Sequence, residues 1–390
     1  MRRLTITVIT LLASSQIAAG QVTLNREDAF NAPSRHAWKL FLTLNHPAKD
    51  PTQGRGLPDL QKKFGAPNTT VVWETWRLAR NEVFVPPGQE PLPWDDLSLS
   101  GNTVGKVPEP PKNVLIARAL ALSVAPELGA LTPSPLMDDD GIFKKTGQFG
   151  ETRVNRATYE FITGQDPRFA INKSYKLWTV DGQRRYAKDW IDQKVVDGKK
   201  LSAISFPVEA MEVKAAWIDL ERVDMVAKET RFYIADYKGK KYGLVALHII
   251  TKDIPNWFWA TFHFKDQLKI KDGVVVDLTK AEELTDDYGP PAEIKGTVWE
   301  NYKLGGAQTD FITPMGQPTF LSDAYIEKGI EHSSCISCHS RASITADPAI
   351  PGPGSDATAN GAPKPEWFIR DGKPFAMQLD FLFSMAFRAQ

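Results

Sequence analysis

The chain has 390 residues, 42% of them hydrophobic and 24% charged, which is ordinary globular composition and enough apolar matter for a sizeable core. Its 47 Lys and Arg balance its 47 Asp and Glu. The even charge, with no basic stripe or long charge run, argues against a nucleic-acid or polyelectrolyte partner. The length alone suggests roughly two to three domains.

The first residues have the three parts of a secretory leader. Met1-Arg2-Arg3 is a positive start, Leu4 to Ala13 is apolar, and Ser14 to Gly20 supplies small residues near a cleavage point. Cleavage near Ala19 or Gly20 would leave 45 basic against 47 acidic residues. The apolar stretch is too short to span a bilayer, and no later run reaches that length, so the mature protein is expected in the periplasm or secreted, without a membrane anchor.

Glu27 to Asn45 carries apolar residues at helical spacing (Phe30, Ala37, Trp38, Phe41, Leu42, Leu44), with His36 and His46 at its middle and just past its end. A helical histidine of this kind is more often a satisfied core or surface residue than a ligand. Val71 to Ala79 reads as a short helix or strand. Val85 to Lys112, with seven prolines, reads as a long surface loop. Gly141 to Gly164 reads as a loop followed by a helix from about Val154 to Ile162, and Gln183 to Gln193 as another helix. From Ala203 the period becomes that of strands. Val208–Leu220, Thr230–Tyr237, Tyr242–Thr251 and Trp257–Phe264 are expected to be neighbouring antiparallel strands, with a further strand within Trp299–Thr313. Ser322 to Ala342 returns to helix, Thr345 to Pro365 is a Pro/Gly-rich mobile loop, and Trp367 to Arg388 is an apolar docked segment. The expected organisation is a leader at 1–20, a helical and loop region at 21–200, an antiparallel β region at 201–321 and a C-terminal region at 322–390. These regions are able to form one continuous domain.

Cys335-Ile-Ser-Cys338-His339 holds both cysteines of the chain. In an exported protein C-x-x-C-H points first to c-type haem attachment. Two thiols three residues apart each reach one vinyl group, and the following histidine reaches the iron from the same helical turn. A redox disulfide is a competing reading, though no thioredoxin-like βαβ pattern precedes the pair. Zinc is another, on His332, Cys335, Cys338 and His339, but these crowd into eight residues where zinc sites draw on separated segments. A chance match in a structural helix is the third.

The occupant of the sixth position would decide the chemistry. Methionine or a second histidine suits electron transfer, whereas an open position permits ligand binding or peroxide chemistry. The motif ends 51 residues before the C-terminus, unlike small cytochromes that carry it near their start. Met377 and Met385 lie 38 and 46 residues beyond His339. Met315 lies on a Thr-Pro-Met-Gly turn, and His248 and His263 lie on two of the expected strands. Met315, His263, Met385 and His248 are the distal candidates. Period two puts Trp257, Trp259, Thr261 and His263 on one sheet face, and whether His248 joins them depends on pairing register. Arg341 is positioned to meet a haem propionate or simply to be solvated. No hydrolase elbow, zinc-protease motif or phosphate loop is present.

Several stretches resemble a family of exported bacterial single-haem proteins described as cytochrome c family or c-type cytochrome-domain proteins. They are Trp38-Lys-Leu-Phe-Leu-Thr-Leu-Asn45 with Pro47, Arg55-Gly-Leu-Pro-Asp59, Val72-Trp-Glu-Thr-Trp76, Glu212-Val-Lys-Ala-Ala-Trp217, Leu247-His-Ile249, Trp257-Phe-Trp-Ala-Thr-Phe262 and Ser334-Cys-Ile-Ser-Cys-His339. They are spread over most of the mature chain. In those relatives Ala-Thr-Phe is followed by Glu-His, where this chain has His263-Phe264, a departure that favours His248 over His263. The resemblance implies haem and export and no particular substrate.

The expectation is therefore an α+β protein with a central antiparallel sheet flanked by helices and one covalent haem c on a helix near the C-terminus, held by Cys335, Cys338 and His339. Its expected function is one-electron transfer with a redox partner protein. The alternatives are a haem enzyme, peroxidase-like or a small-molecule oxidoreductase, and a ligand-binding haem protein.

Overall fold

The computed structural model describes residues 26–97 and 148–389, apart from 238–239, 272, 274, 328–329, 355 and 357. The leader and most of the Pro-rich segment lie outside the described residues. The fold is α+β. Its centre is a seven-stranded antiparallel sheet in the order β1 (Arg77–Leu78), β2 (Gln148–Val154), β5 (Met211–Asp219), β7 (Lys240–Thr251), β8 (Phe258–Phe264), β9 (Tyr302–Gln308), with β6 (Ile234–Tyr237) pairing the start of β7. Between β2 and β5 lies a small hairpin, β3 (Val195–Val196) with β4 (Lys199–Lys200). After β9 come a short pair, β10 (Ser343–Thr345) with β13 (Ala376–Gln378), and a hairpin, β11 (Ile369–Arg370) with β12 (Lys373–Pro374).

Alternation along the strands gives the sheet two different faces. One carries Trp217, Leu247, Phe258 and Phe262 and is covered by the helix Pro33–Leu44. Trp38 and Phe41 meet Phe262 at ring-centre distances of 5.0 and 4.4 Å, and His36 meets Phe258 at 4.8 Å. The expected single helix from Glu27 is broken at Ala32 into Asp28–Asn31 and Pro33–Leu44. Pro33 is the cause, because a residue preceding proline is driven out of the helical region, and Ala32 sits at φ −153°. His36 is fully buried and shares a 2.9 Å bond with Asp253, while His46 Nδ1 lies 3.0 Å from the Pro47 carbonyl. Both are structural residues.

The other face carries Glu212, Lys214, His248, Ile250, Trp259, Thr261, His263 and Gln308, and it looks toward the C-terminal segment. Gly306 at φ +151° lies beside the β8–β9 register shift. A side chain there would run into Leu284, 2.8 Å away, so the close crossing of the chain over this strand requires glycine.

Two expectations need correction. Ser322–Ala342 is helical only at Cys335–His339. Ahead of it the Asp323 carboxylate accepts from the Tyr325 and Ile326 amides, and Leu321 bridges to Ser334. Side-chain capture of backbone amides competes with helix here. Conversely, the segment ahead of Arg156 is not only loop, because Gln148–Val154 is a strand next to the sheet's centre. Its inward residues include Glu151 and Arg153, an ion pair at 2.9 Å with both side chains about 1% exposed, and Glu151 also accepts from the Trp217 indole. Polar residues facing inward invert the alternation that marks a strand. The region expected at 21–200 thus supplies two strands to the sheet of the region after it.

A second buried acid lies close by. Burial pushes the Glu74 carboxyl up to about 8, against bonds from Tyr233 and the Val71 amide that favour its charged form. The folded state therefore holds a proton that the unfolded chain releases near its ordinary value of 4.5. This group's contribution to stability falls as pH rises from about 4.5 to about 8. Glu74→Gln should gain on wild type across that window, reaching roughly 1–3 kcal/mol at its upper end. Urea denaturation of both proteins at both ends of the window checks this, and a pH-independent difference would contradict it.

Candidate haem-attachment site

The polar face of the sheet and the helix Cys335–His339 enclose a cleft with about 670 Å³ of empty space, part of it continuous with solvent. Cys335, Cys338 and His339 line it from one side, Lys214, His248, Trp259 and Thr261 from the sheet, and Glu327 and Ile330 from the segment before the helix.

The sheet itself positions the short helix. Gln308, at the end of β9, donates from its amide nitrogen to Ser334 Oγ at 2.9 Å and accepts the Ile336 amide on its oxygen at 3.0 Å. Ser334 caps the first turn by accepting from the Ser337 amide. The His339 ring rests on Trp259, with ring centres 4.5 Å apart, and faces Phe383 at 5.1 Å.

A strained turn fixes the orientation of that ring. His339 Nδ1 lies 2.9 Å from the Phe381 carbonyl, which can only accept, so Nδ1 carries the proton and Nε2 keeps its lone pair. Asp380 and Phe381 have φ of 47° and 71°, uncommon for residues with side chains, in a turn closed by the Leu382 amide on the Leu379 carbonyl. Asp380 is anchored on both oxygens, by Lys252 at 2.6 Å and by the Phe206 amide at 2.7 Å. These bonds hold the strained turn, which directs the Phe381 carbonyl at the imidazole.

The cysteines are free thiols. Burial pushes Cys338 up to about 11 and raises Cys335 well above its ordinary value, so both are protonated at neutral pH. Burial pulls His339 down to about 4, opposed by the bond to Phe381, leaving a neutral imidazole. The four proposed zinc ligands do not converge. The His332 ring stacks on Phe320 and its Nδ1 lies 2.6 Å from Glu282, with the side chain 73% exposed. Among the described residues no group of three or more His, Cys, Asp or Glu is arranged to hold a metal ion.

The pairing register separates the distal candidates. His248 stands opposite Lys214 on β5 and Thr261 on β8, and it lines the cleft. His263 shares the face but is fully buried away from the cleft, with Nδ1 2.9 Å from Asp323 and Nε2 3.4 Å from Glu283. Burial alone would discharge His263, but the two carboxylates outweigh it and hold the ring protonated, up to about 9. Met315 lies on its turn 88% exposed, and Met377 and Met385 are packed in the core, none of them lining the cleft. Trp257 precedes β8 with φ 59° and packs against Phe206, so it is not part of the Trp259 face.

Arg341 is committed elsewhere. Its guanidinium lies over Trp367 at 4.3 Å and donates to the Gly354 and Pro353 carbonyls. With the Ser337 hydroxyl bond to the Gly361 carbonyl, it pins the expected mobile loop against the cysteine helix.

Lys214 and Glu327 were not singled out by the sequence. Glu212 and Lys214 share a period-two face, but that pattern does not say which way the face looks. Glu327 sits in an irregular stretch with no sequence signal. Its carboxylate accepts from the Asp323 amide at 2.8 Å, and burial pushes it up to about 8.

The residues fit a covalent haem. Two reduced thiols, with Cys335 Sγ donating to the Leu321 carbonyl at 3.1 Å, and an imidazole with only Nε2 available line one cleft, beside a tryptophan face. No family model, no curated protein and no solved structure matches the chain. Among the described residues no helix is long and apolar enough to cross a membrane.

Because Asp380 holds both Lys252 and the turn that orients His339, Asp380→Ala should lower stability by about 3–5 kcal/mol, most of it from leaving the Lys252 ammonium buried and unpaired. Asp380→Asn should lose less. Denaturant titration of the two variants checks the order, and equal losses would contradict it.

Proposed function

We propose that the protein is an exported c-type cytochrome that carries one covalent haem and transfers single electrons to and from a redox partner protein. One observation carries this reading: both thiols and the oriented imidazole of a C-x-x-C-H turn line the same cleft. Cys335 and Cys338 would hold the haem through thioether bonds to its two vinyl groups. Bound haem would supply an iron that alternates between two oxidation states one electron apart. The chain's part is to hold it. His339 offers Nε2, the Phe381 carbonyl keeps that nitrogen unprotonated, and Trp259 backs the ring. The resemblance to exported single-haem proteins agrees with this reading and with passage through the N-terminal leader.

A second reading, a haem enzyme, is favoured by two ionisable side chains in an otherwise mainly apolar cleft. Lys214 and Glu327 bring an ammonium and a carboxyl to a space partly open to solvent. In that case these two groups would move protons at a bound small molecule.

Carbon monoxide distinguishes the readings. The holoprotein, exported from a host that attaches haem c, should show a reversible one-electron redox couple and a reduced spectrum that carbon monoxide leaves unchanged. Rapid carbon monoxide binding together with turnover of peroxide would favour the enzyme. Cys335→Ala with Cys338→Ala should abolish covalent haem altogether, read as loss of haem colour from the denatured polypeptide.

A further inference from the structure

Resting on the haem reading above, we infer that His248 supplies the second axial nitrogen to the iron, which makes the protein a bis-histidine cytochrome. His248 Nε2 is buried and makes no hydrogen bond. The Glu327 carboxyl oxygen Oε2 is 3.6 Å away, beyond hydrogen-bonding distance. A buried ring nitrogen with no partner is costly, and in native proteins such an atom usually has a function. Burial also pulls the ring down to about 3, so the imidazole is neutral and keeps the lone pair that a metal ligand needs.

The position of the ring is fixed by the sheet. His248 lies directly across from Thr261, and Trp259, two residues before Thr261 on the same face, is the residue on which His339 rests. Both imidazoles therefore line one cleft from neighbouring parts of its wall. The other groups able to ligate iron there are less suited. Glu212 accepts from the Ser384 hydroxyl and Glu327 from the Asp323 amide. Lys214, opposite His248 on β5, is the one rival nitrogen among the described residues lining the cleft. His263, Met315, Met377 and Met385 do not line it.

The test uses the exported full-length holoprotein. Electron paramagnetic resonance and near-infrared magnetic circular dichroism of the oxidised wild type should give a low-spin bis-imidazole signature. His248→Ala should retain the same covalent haem content per chain but become high-spin and bind carbon monoxide, and added imidazole should restore the low-spin form. His248→Met, which replaces the ring with another ligand, should remain low-spin and raise the reduction potential. Lys214→Leu, which removes the rival nitrogen without offering another ligand, should leave the wild-type signature unchanged. A high-spin wild type, or a His248→Ala protein still low-spin, would overturn the assignment of His248 while leaving the haem reading intact. Loss of the low-spin form in Lys214→Leu but not in His248→Ala would transfer the ligand role to the lysine. A wild type with no covalent haem would instead sink the reading on which the inference rests.

Discussion

The structure depends on the register in which β5, β7 and β8 pair. A slip of one residue would exchange the two faces of the sheet, sending Trp217, Leu247 and Phe262 toward the cleft and burying Lys214, His248 and Thr261 against the helix Pro33–Leu44. The aromatic packing of Trp38 and Phe41 on Phe262 holds the register from one side. From the other, Gln308 reaches from β9 to the first turn of the cysteine helix. The same packing that stabilises the core thus decides which polar side chains meet the cysteines.

The site is rigid where orientation matters. His339 is held between an aromatic wall and a backbone carbonyl, and that carbonyl belongs to a turn with two consecutive positive φ angles. Such a turn would suit asparagine and glycine, and here it is occupied by aspartate and phenylalanine. The side chain of Asp380 compensates with bonds to Lys252 and Phe206, while the Phe381 ring packs beside Phe311 and Trp259. Strain of this kind commonly accompanies function, and here it serves to hold one ring nitrogen free. The buried charges of Glu151, Arg153, His263 and Asp323 are a different matter. They are paired within the structure and explained by it.

Much of this was legible in the sequence. The strand runs at Met211–Asp219, Lys240–Thr251 and Phe258–Phe264 stand out by their β-branched and aromatic residues, and the helix Pro33–Leu44 by a clear helical period. The C-x-x-C-H turn declares itself by spacing alone. What stayed hidden has physical reasons. Gln148–Val154 buries a glutamate and an arginine where a strand normally buries apolar residues. The stretch before Cys335 has helical composition, but Asp323 ties its amides into turns. The choice among His248, His263 and the methionines rests on register and on long-range partners such as Asp323 and Glu283, to which one sequence gives no access. Asp380 and Phe381 give no local signal at all, since their role arises only when the C-terminal segment docks.

The central claim is that Cys335 and Cys338 carry haem through covalent bonds. Intact mass spectrometry of the denatured exported protein tests it most directly. One population is expected, heavier than the leader-free polypeptide by a single haem, with neither cysteine open to alkylation. A polypeptide at its bare mass, with two alkylatable thiols or with one disulfide, would contradict it, provided a known c-type cytochrome made in the same cells acquires its haem.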